Sequence, residues 1–239
     1  MYLLADQSSN AKLSKNADIT SRWQTSILYL SPADSSGLGV NLCPAASPGC
    51  KAACLNTAGR GVMSSVQLGR LRKTKLFVQD RAEFLRQLQA DLMTLRKRQE
   101  RTGIRQAVRL NGTSDIAWED RGIIQEFPDL MFYDYTKRPD RAIKSVSGSW
   151  PMNYHLTFSR SEVNQRATTL VAENGVNVAV VFSGDKLPER WGGLPVIDGT
   201  EHDMRFLDPQ RVVVGLLAKG KARADRSGFA INLNTEGAA

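Results

Sequence analysis

Thiols and imidazoles are scarce in this chain. Its 239 residues hold three cysteines and two histidines, and the cysteines all stand in one stretch, Leu42 to Leu55, "LCPAASPGCKAACL". So few thiols, odd in number, exclude a disulfide framework and point to metal ligands or catalytic thiols. Long apolar runs are missing too: nothing reaches the roughly 18 residues that a membrane-spanning helix needs. The opening "MYLLADQSSNAKLSKNAD" lacks the basic-then-apolar order of a secretory signal, so a cytoplasmic protein is expected, with no membrane partner. There is no internal repeat and no low-complexity tract, which excludes solenoids and biased linkers.

Acidic residues are the minority, 24 against 32 Lys and Arg, for a net charge of +8. The excess gathers in "RLRKTK" from Arg70, "RKRQER" from Arg96 and "KGKAR" from Lys219. Patches of this kind suit nucleic acid or an anionic cofactor, or serve as solvated helix faces. The apolar fraction of 41% with a mean hydropathy of -0.32 fits an ordinary globular chain, and a single α/β domain over 1–239 is expected.

Six apolar, β-branched runs bounded by turn residues predict strands: "SILYL" from Ser26, "AVRLN" from Ala107, "LMFYDYT" from Leu130, "YHLTFS" from Tyr154, "VNVAVVFS" from Val176 and "RVVVGLL" from Arg211. Between the first two, Phe84, Leu85, Leu88, Leu92 and Leu95 recur at helical spacing. Asp80 and Glu83 make a capping-box start and Gly103 a stop, and Ser64 to Val78 is either a separate helix or the first half of the same one. Shorter helices fit Glu119–Phe127, Arg138–Val146, Glu162–Glu173 and Leu187–Trp191. The alternation argues for βα units and a partial (β/α)6 barrel of parallel strands. Most of these strands run into polar clusters, which would gather the chemistry at the carboxyl ends of the sheet.

The cysteine loop, within 31–61, follows the first of these strands. Pro44, Pro48 and Gly49 break the segment after Cys43, whereas "KAACL" is a good helix former that would set Cys50 and Cys54 one turn apart on one face. A loop thiol facing two helical thiols can wrap a polynuclear centre. The expectation is a 4Fe-4S cluster on Cys43, Cys50 and Cys54 with an open or non-cysteine fourth position. Zinc is the alternative, with His155 or His202 as fourth ligand.

Around that centre Arg109, Asn111, Asp115, Asp134, Lys137, His155 and Ser159 are candidate cofactor-binding residues, and Glu162 and Asp185 are expected to project there as further carboxylates for ribose hydroxyls or an amino group. Strand alternation puts Arg109 with Asn111, Asp134 with Thr136, and His155 with Thr157 and Ser159, and a polar face on such strands is costly inside a core unless it lines a wet site. A separate segment, "VIDGTEHDMRFLDP", offers Asp198, His202 and Asp203 as a hydrolytic metal site. With the basic patches and a structural zinc it forms a nucleic-acid-processing alternative.

Three close cysteines in a loop after the first strand of a partial βα barrel look like the radical S-adenosylmethionine enzymes, whose usual spacing is C-x3-C-x2-C against C-x6-C-x3-C here. That likeness implies S-adenosylmethionine as a further ligand and a redox enzyme, or else a non-catalytic electron-transfer or sensing cluster protein. The segments "NLCPAASPGCKAACLNTAGRG", "RLNGTSDIAWE", "FYDYTKR", "YHLTFSRSEVN" and "DMRFLDP" resemble the phage-encoded gene product 88 family from about Ser31 to Lys221. This resemblance implies a phage origin, a place in the cytoplasm of an infected bacterium and a shared site, and it carries no activity with it.

Overall fold

Strands and helices alternate along most of the chain, and the computed structural model describes residues 2–6 and 17–233. Among these, the order is β1 (Leu4–Ala5), α1 (Ala17–Arg22), β2 (Trp23–Leu28), α2 (Pro48–Ala52), α3 (Ser64–Gln79), α4 (Arg81–Thr102), β3 (Arg105–Arg109) and β4 (Met131–Thr136). It continues with α5 (Pro139–Lys144), β5 (Tyr154–Ser159), α6 (Gln165–Glu173), β6 (Val178–Ser183), β7 (Arg190–Trp191), β8 (Leu194–Asp198), β9 (Val213–Leu217) and β10 (Ala230–Asn232). The class is mixed α/β, with mostly parallel strand pairs.

The chain divides into two compact units. The first comprises Met1–Pro44, Met63–Asp134 and Pro151–His155; the second comprises Ala45–Val62, Tyr135–Trp150 and Leu156–Ala239.

In the first unit β1 runs antiparallel to β2, and β2, β3 and β4 follow in parallel register, with Thr25 opposite Ala107 and Val108 opposite Phe132. Helix α4 starts where Asp80 accepts a hydrogen bond from the Glu83 amide, and stops at Gly103, whose φ of 69° suits a residue without Cβ. The other half of the capping box is not used: the Glu83 carboxylate accepts from Arg86 and Gln87 instead. The apolar stripe of α4, Phe84, Leu88, Leu92 and Leu95, is buried, and Phe84 meets the Phe77 ring edge-on at 5.1 Å and stacks near Trp118 at 6.3 Å.

In the second unit β6 is central, parallel to β5, to β9 and, at its carboxyl half, to β10. Strand β9 continues to β8 in parallel, and β8 to β7 in antiparallel sense. The core here is Phe158, Val171, Val176, Val178, Val180, Phe182, Val213 and Ile231. Both strand paths end in a two-residue antiparallel edge, β1 or β7, and neither closes on itself.

All six expected strands form, but the described residues contain ten, so the six-strand count is short by four. The helix expected at Leu187–Trp191 is absent. Trp191 pairs with Leu194 across Gly192 and Gly193, both at positive φ, which is the two-residue hairpin turn that Gly-Gly favours. Glu119–Phe127 forms only a short 3-10 turn, Trp118–Arg121, halted by Gly122 at φ 74°. The "KAACL" helix also ends early. Ala53 docks against Ala218, Ala222 and Phe229, and the chain leaves the helix at Cys54 with ψ 136° to enter a 3-10 turn, Leu55–Thr57. Cys50 and Cys54 therefore do not share one helical turn.

Candidate functional site

The residues that the sequence groups around the cysteines fall into two sets. Cys43, Arg109, Asn111, Asp115, Asp134 and His155 belong to the first unit; Cys50, Cys54, Lys137 and Ser159 belong to the second.

In the first unit the polar residues satisfy one another. The fully buried Asp134 carboxylate accepts from the Asn111 amide at 2.7 Å, from Asn111 Nδ2 at 3.1 Å and from the Tyr154 hydroxyl at 2.9 Å. Asn111 Oδ1 in turn accepts from Ser114 Oγ, the Ile116 amide and Trp118 Nε1. Further polar groups of "NGTSD" shape the turn after β3: Thr113 Oγ1 donates to the Leu30 carbonyl and the Asp115 amide to the Leu42 carbonyl. Gly112 lets that turn approach: a Cβ there would lie 2.7 Å from the Leu28 carbonyl. Cys43 is part of the same scaffold. Its sulfur accepts from the Ala33 amide and donates to the Thr113 carbonyl, both at 3.4 Å. Arg109 and His155 sit half-buried on β3 and β5.

The second unit assembles a different group. Lys137, just past β4, donates to Ser159 Oγ at 2.6 Å at the end of β5, hydrogen-bonds the Cys50 thiol, and lies 5.6 Å from the centre of the Phe229 ring. Ser47 caps α2 by accepting from the Cys50 amide at 3.1 Å, and Pro48 fills the first helical position. Glu162 then clamps the loop. Its two oxygens take the Ser47 hydroxyl and the Gly49 amide, each at 2.7 Å. Gly49 is required by that fit, because a Cβ would come 2.2 Å from Ser227 Oγ and 2.8 Å from Glu162 Oε1.

Burial pushes the Cys50 thiol above its ordinary value, the Lys137 ammonium pulls it back, and Cys54 and Glu162 add smaller upward pushes. The resting sulfur is a protonated thiol beside a cation. Cys54, half-buried, lies where the chain turns away from α2, and its carbonyl accepts from the Thr57 amide and hydroxyl.

These positions overturn the iron-sulfur expectation. Among the described residues no group of three or more His, Cys, Asp or Glu side chains stands where a metal ion could be held, and the three cysteines form no cluster. Cys43, Cys50 and Cys54 are not a metal site, so the 4Fe-4S and structural-zinc readings fall with it, as do the redox, sensing and zinc-supported processing functions built on them. The physical reason is local: Cys43 is committed to the turn after β3, and α2 ends at Ala52, so Cys54 is not carried on one helical turn with Cys50.

The hydrolytic metal site fails as well. Asp198 accepts from the Thr200 amide in its own turn, and His202 faces a salt-bridge cluster instead of carboxylates arranged as ligands. Arg205, fully buried, bonds Asp208 at 3.3 Å and His202 Nδ1 at 3.1 Å, while His202 Nε2 lies 3.7 Å from Asp208. Burial raises the Asp208 carboxyl to about 6, and burial with the nearby Arg205 charge lowers the His202 imidazole. In "DMRFLDP" the working residues are Arg205 and Asp208, which the sequence reading passed over.

Glu162, expected beside the cysteine loop as a ligand-binding carboxylate, reaches that loop and serves there as a clamp. Its partners lie 115 and 113 positions away, so the only sequence signal is a carboxylate after β5 and a Ser-Pro-Gly turn elsewhere.

No described helix is long and apolar enough to cross a membrane. The family model described as Gene product 88 matches residues 2–233, and the chain belongs to that family. Comparison with curated proteins and with solved structures returns no match.

Proposed function

We propose that this member of the gene product 88 family is a thiol-dependent enzyme whose second unit transfers an acyl group through Cys50. The observation that carries the reading is the convergence of Cys50, Lys137 and the Ser159–Glu162 pair from three separate segments on the carboxyl side of β4 and β5. Ligands in open α/β sheets collect at that side of the strands, and the reading needs only those strand ends, not a barrel.

Cys50 is the nucleophile. Its sulfur attacks the carbonyl carbon of an ester or thioester, the S–C bond forms as the bond to the leaving group breaks, and the thiol proton passes by way of Lys137 to the departing atom. A thiol held above its ordinary value is the stronger nucleophile once deprotonated, and the adjacent ammonium stabilises the charge that develops. Ser159 is a positioning residue that fixes Lys137, and Glu162 positions α2 through Ser47 and Gly49. Water completes the cycle: its oxygen bonds the acyl carbon as the C–S bond breaks, a carboxylic acid leaves, and a proton from the water returns to the Cys50 sulfur.

The test is p-nitrophenyl acetate with intact-mass readout. The expected result is a burst of nitrophenolate with one acetyl group on Cys50, absent in Cys50→Ser and kept in Cys43→Ser. A burst that survives Cys50→Ser, or an acetyl group found on Cys43 instead, overturns the proposal.

A further inference from the structure

Three basic patches stand out in the sequence, and their surroundings differ. In "RKRQER", Arg96 pairs with Asp129 at 2.7 Å and Arg98 with Asp6 at 3.0 Å. In "RLRKTK", Lys73 donates to the Leu3 carbonyl at 2.5 Å, its burial lowering its affinity for a proton, and the Arg70 guanidinium covers the Tyr29 ring at 4.9 Å. Those four cations are engaged in holding the first unit together, while Lys97 and Arg101 stand exposed on α4 with the acidic Glu100 between them in sequence.

The third patch, in the second unit, is built otherwise. Lys219, Lys221, Arg223 and Arg226 are exposed, and among the described residues none has an acidic side chain within salt-bridge distance. The one carboxylate between them, Asp225, is spent in its own turn: it accepts from Ser227 Oγ at 2.7 Å and from the Ala230 amide at 3.0 Å. The 3-10 turn Gly220–Ala224 packs on the cysteine-loop turn Leu55–Thr57, with Gly220 so close that a Cβ would lie 2.7 Å from the Ala58 methyl. Ala53, Ala218 and Ala222 join the two segments from within. Small side chains thus face inward while Lys51 and Arg60 of one segment and the four cations of the other are exposed, and residues 45–62 contain no acid at all.

We propose that this two-segment surface of the second unit binds the phosphate backbone of a nucleic acid without reading its sequence. Lys219, Lys221, Arg223 and Arg226, free of acidic partners, can exchange condensed counterions for phosphate contacts, whereas paired cations gain little. Gly220 and the alanines leave room for a backbone to approach. Neither segment presents an exposed aromatic ring for stacking on bases, so the contacts are to phosphates. An anionic membrane fits less well, since such binding uses a broad apolar helix face and here only Leu55 and Val62 are exposed beside short turns. This inference does not depend on the chemistry at Cys50.

The test is fluorescence polarisation of the full chain with labelled 20-mers of two unrelated sequences, across a salt series, in parallel with vesicles of phosphatidylserine and phosphatidylcholine. The expected result is similar affinity for both sequences, with log K falling by roughly 0.7–0.9 per tenfold salt for each phosphate engaged. Lys221→Glu/Arg223→Glu/Arg226→Glu should weaken binding by about tenfold or more and flatten the salt slope. Lys75→Glu/Lys97→Glu/Arg101→Glu, the same charge change on exposed positions of α3 and α4, should leave both nearly unchanged, and circular dichroism confirms that each variant is folded. Equal losses in the two variants, unchanged binding by the first of them, strong preference for one sequence, or binding to vesicles but not to nucleic acid would overturn the proposal.

Discussion

The Asn111–Asp134 network of the first unit and the Cys50–Lys137 group of the second are both polar clusters near strand ends, yet they are built on opposite terms. Around Asp134 each donor shown has its acceptor, and the carboxylate is wholly buried. Around Cys50 opposing influences meet on one half-buried thiol: burial, Cys54 and Glu162 raise its titration and the Lys137 ammonium lowers it. Full satisfaction at full burial is the mark of a scaffold. Partial burial with opposing electrostatic influences is the mark of a site where a ligand can alter the balance. The same contrast separates Cys43, whose sulfur is tied to the Ala33 amide and the Thr113 carbonyl, from Cys50.

The largest expected effect breaks the scaffold. Asp134→Ala strips the acceptor from three buried donors and should cost about 3–5 kcal/mol of stability, measured by urea unfolding. Loss of under about 1 kcal/mol would show that the network contributes little.

Asp208 extends the comparison, since it is a buried carboxyl in the second unit that is not fully satisfied. Its folded-state value of about 6 lies above its ordinary 3.8, so the folded protein binds the proton more tightly. Its contribution is present below pH 3.8 and is lost as pH rises through 6. Asp208→Asn removes this titration while Arg205 and His202 remain. Wild-type stability relative to the variant should therefore fall by about 2–3 kcal/mol between pH 4 and pH 7.

Gly49→Ala attacks the clamp that holds α2. The added methyl must displace Ser227 or Glu162, and a cost of about 1–3 kcal/mol is expected by thermal unfolding, with faster hydrogen exchange at the Cys50 amide. An unchanged melting temperature would mean that Glu162 yields freely.

Much of the framework was legible in the sequence, for physical reasons that also mark its limits. Helix α4 carries its own start, apolar stripe and stop, and β5 coincides with "YHLTFS" because both are local patterns. The short edges β1 and β7 have too few residues to show alternation, although Gly192-Gly193 between Trp191 and Leu194 was a readable hairpin signal. The site failed where long-range packing overrode propensity. "KAACL" has the composition of a continuing helix, but docking of Ala53 on Ala218 and Ala222 ends it and leaves Cys54 outside the helical turn that carries Cys50. Proximity of Cys43 and Cys50 in sequence said nothing of Thr113, 70 positions on, which holds the first of them.

The difference between the two clusters is tested most directly by the pH dependence of iodoacetamide labelling at each cysteine, followed by mass spectrometry in the wild type, Lys137→Met and Glu162→Gln. Lys137 holds the Cys50 titration down and Glu162 pushes it up, and Gln can keep the Ser47 and Gly49 hydrogen bonds. The Cys50 profile should therefore move to higher pH in Lys137→Met and to lower pH in Glu162→Gln, while Cys43 stays where it was. Cys50 profiles that coincide in all three proteins, or a Cys43 profile that shifts with them, would contradict the assignment of Cys50 and Lys137 as the reactive pair.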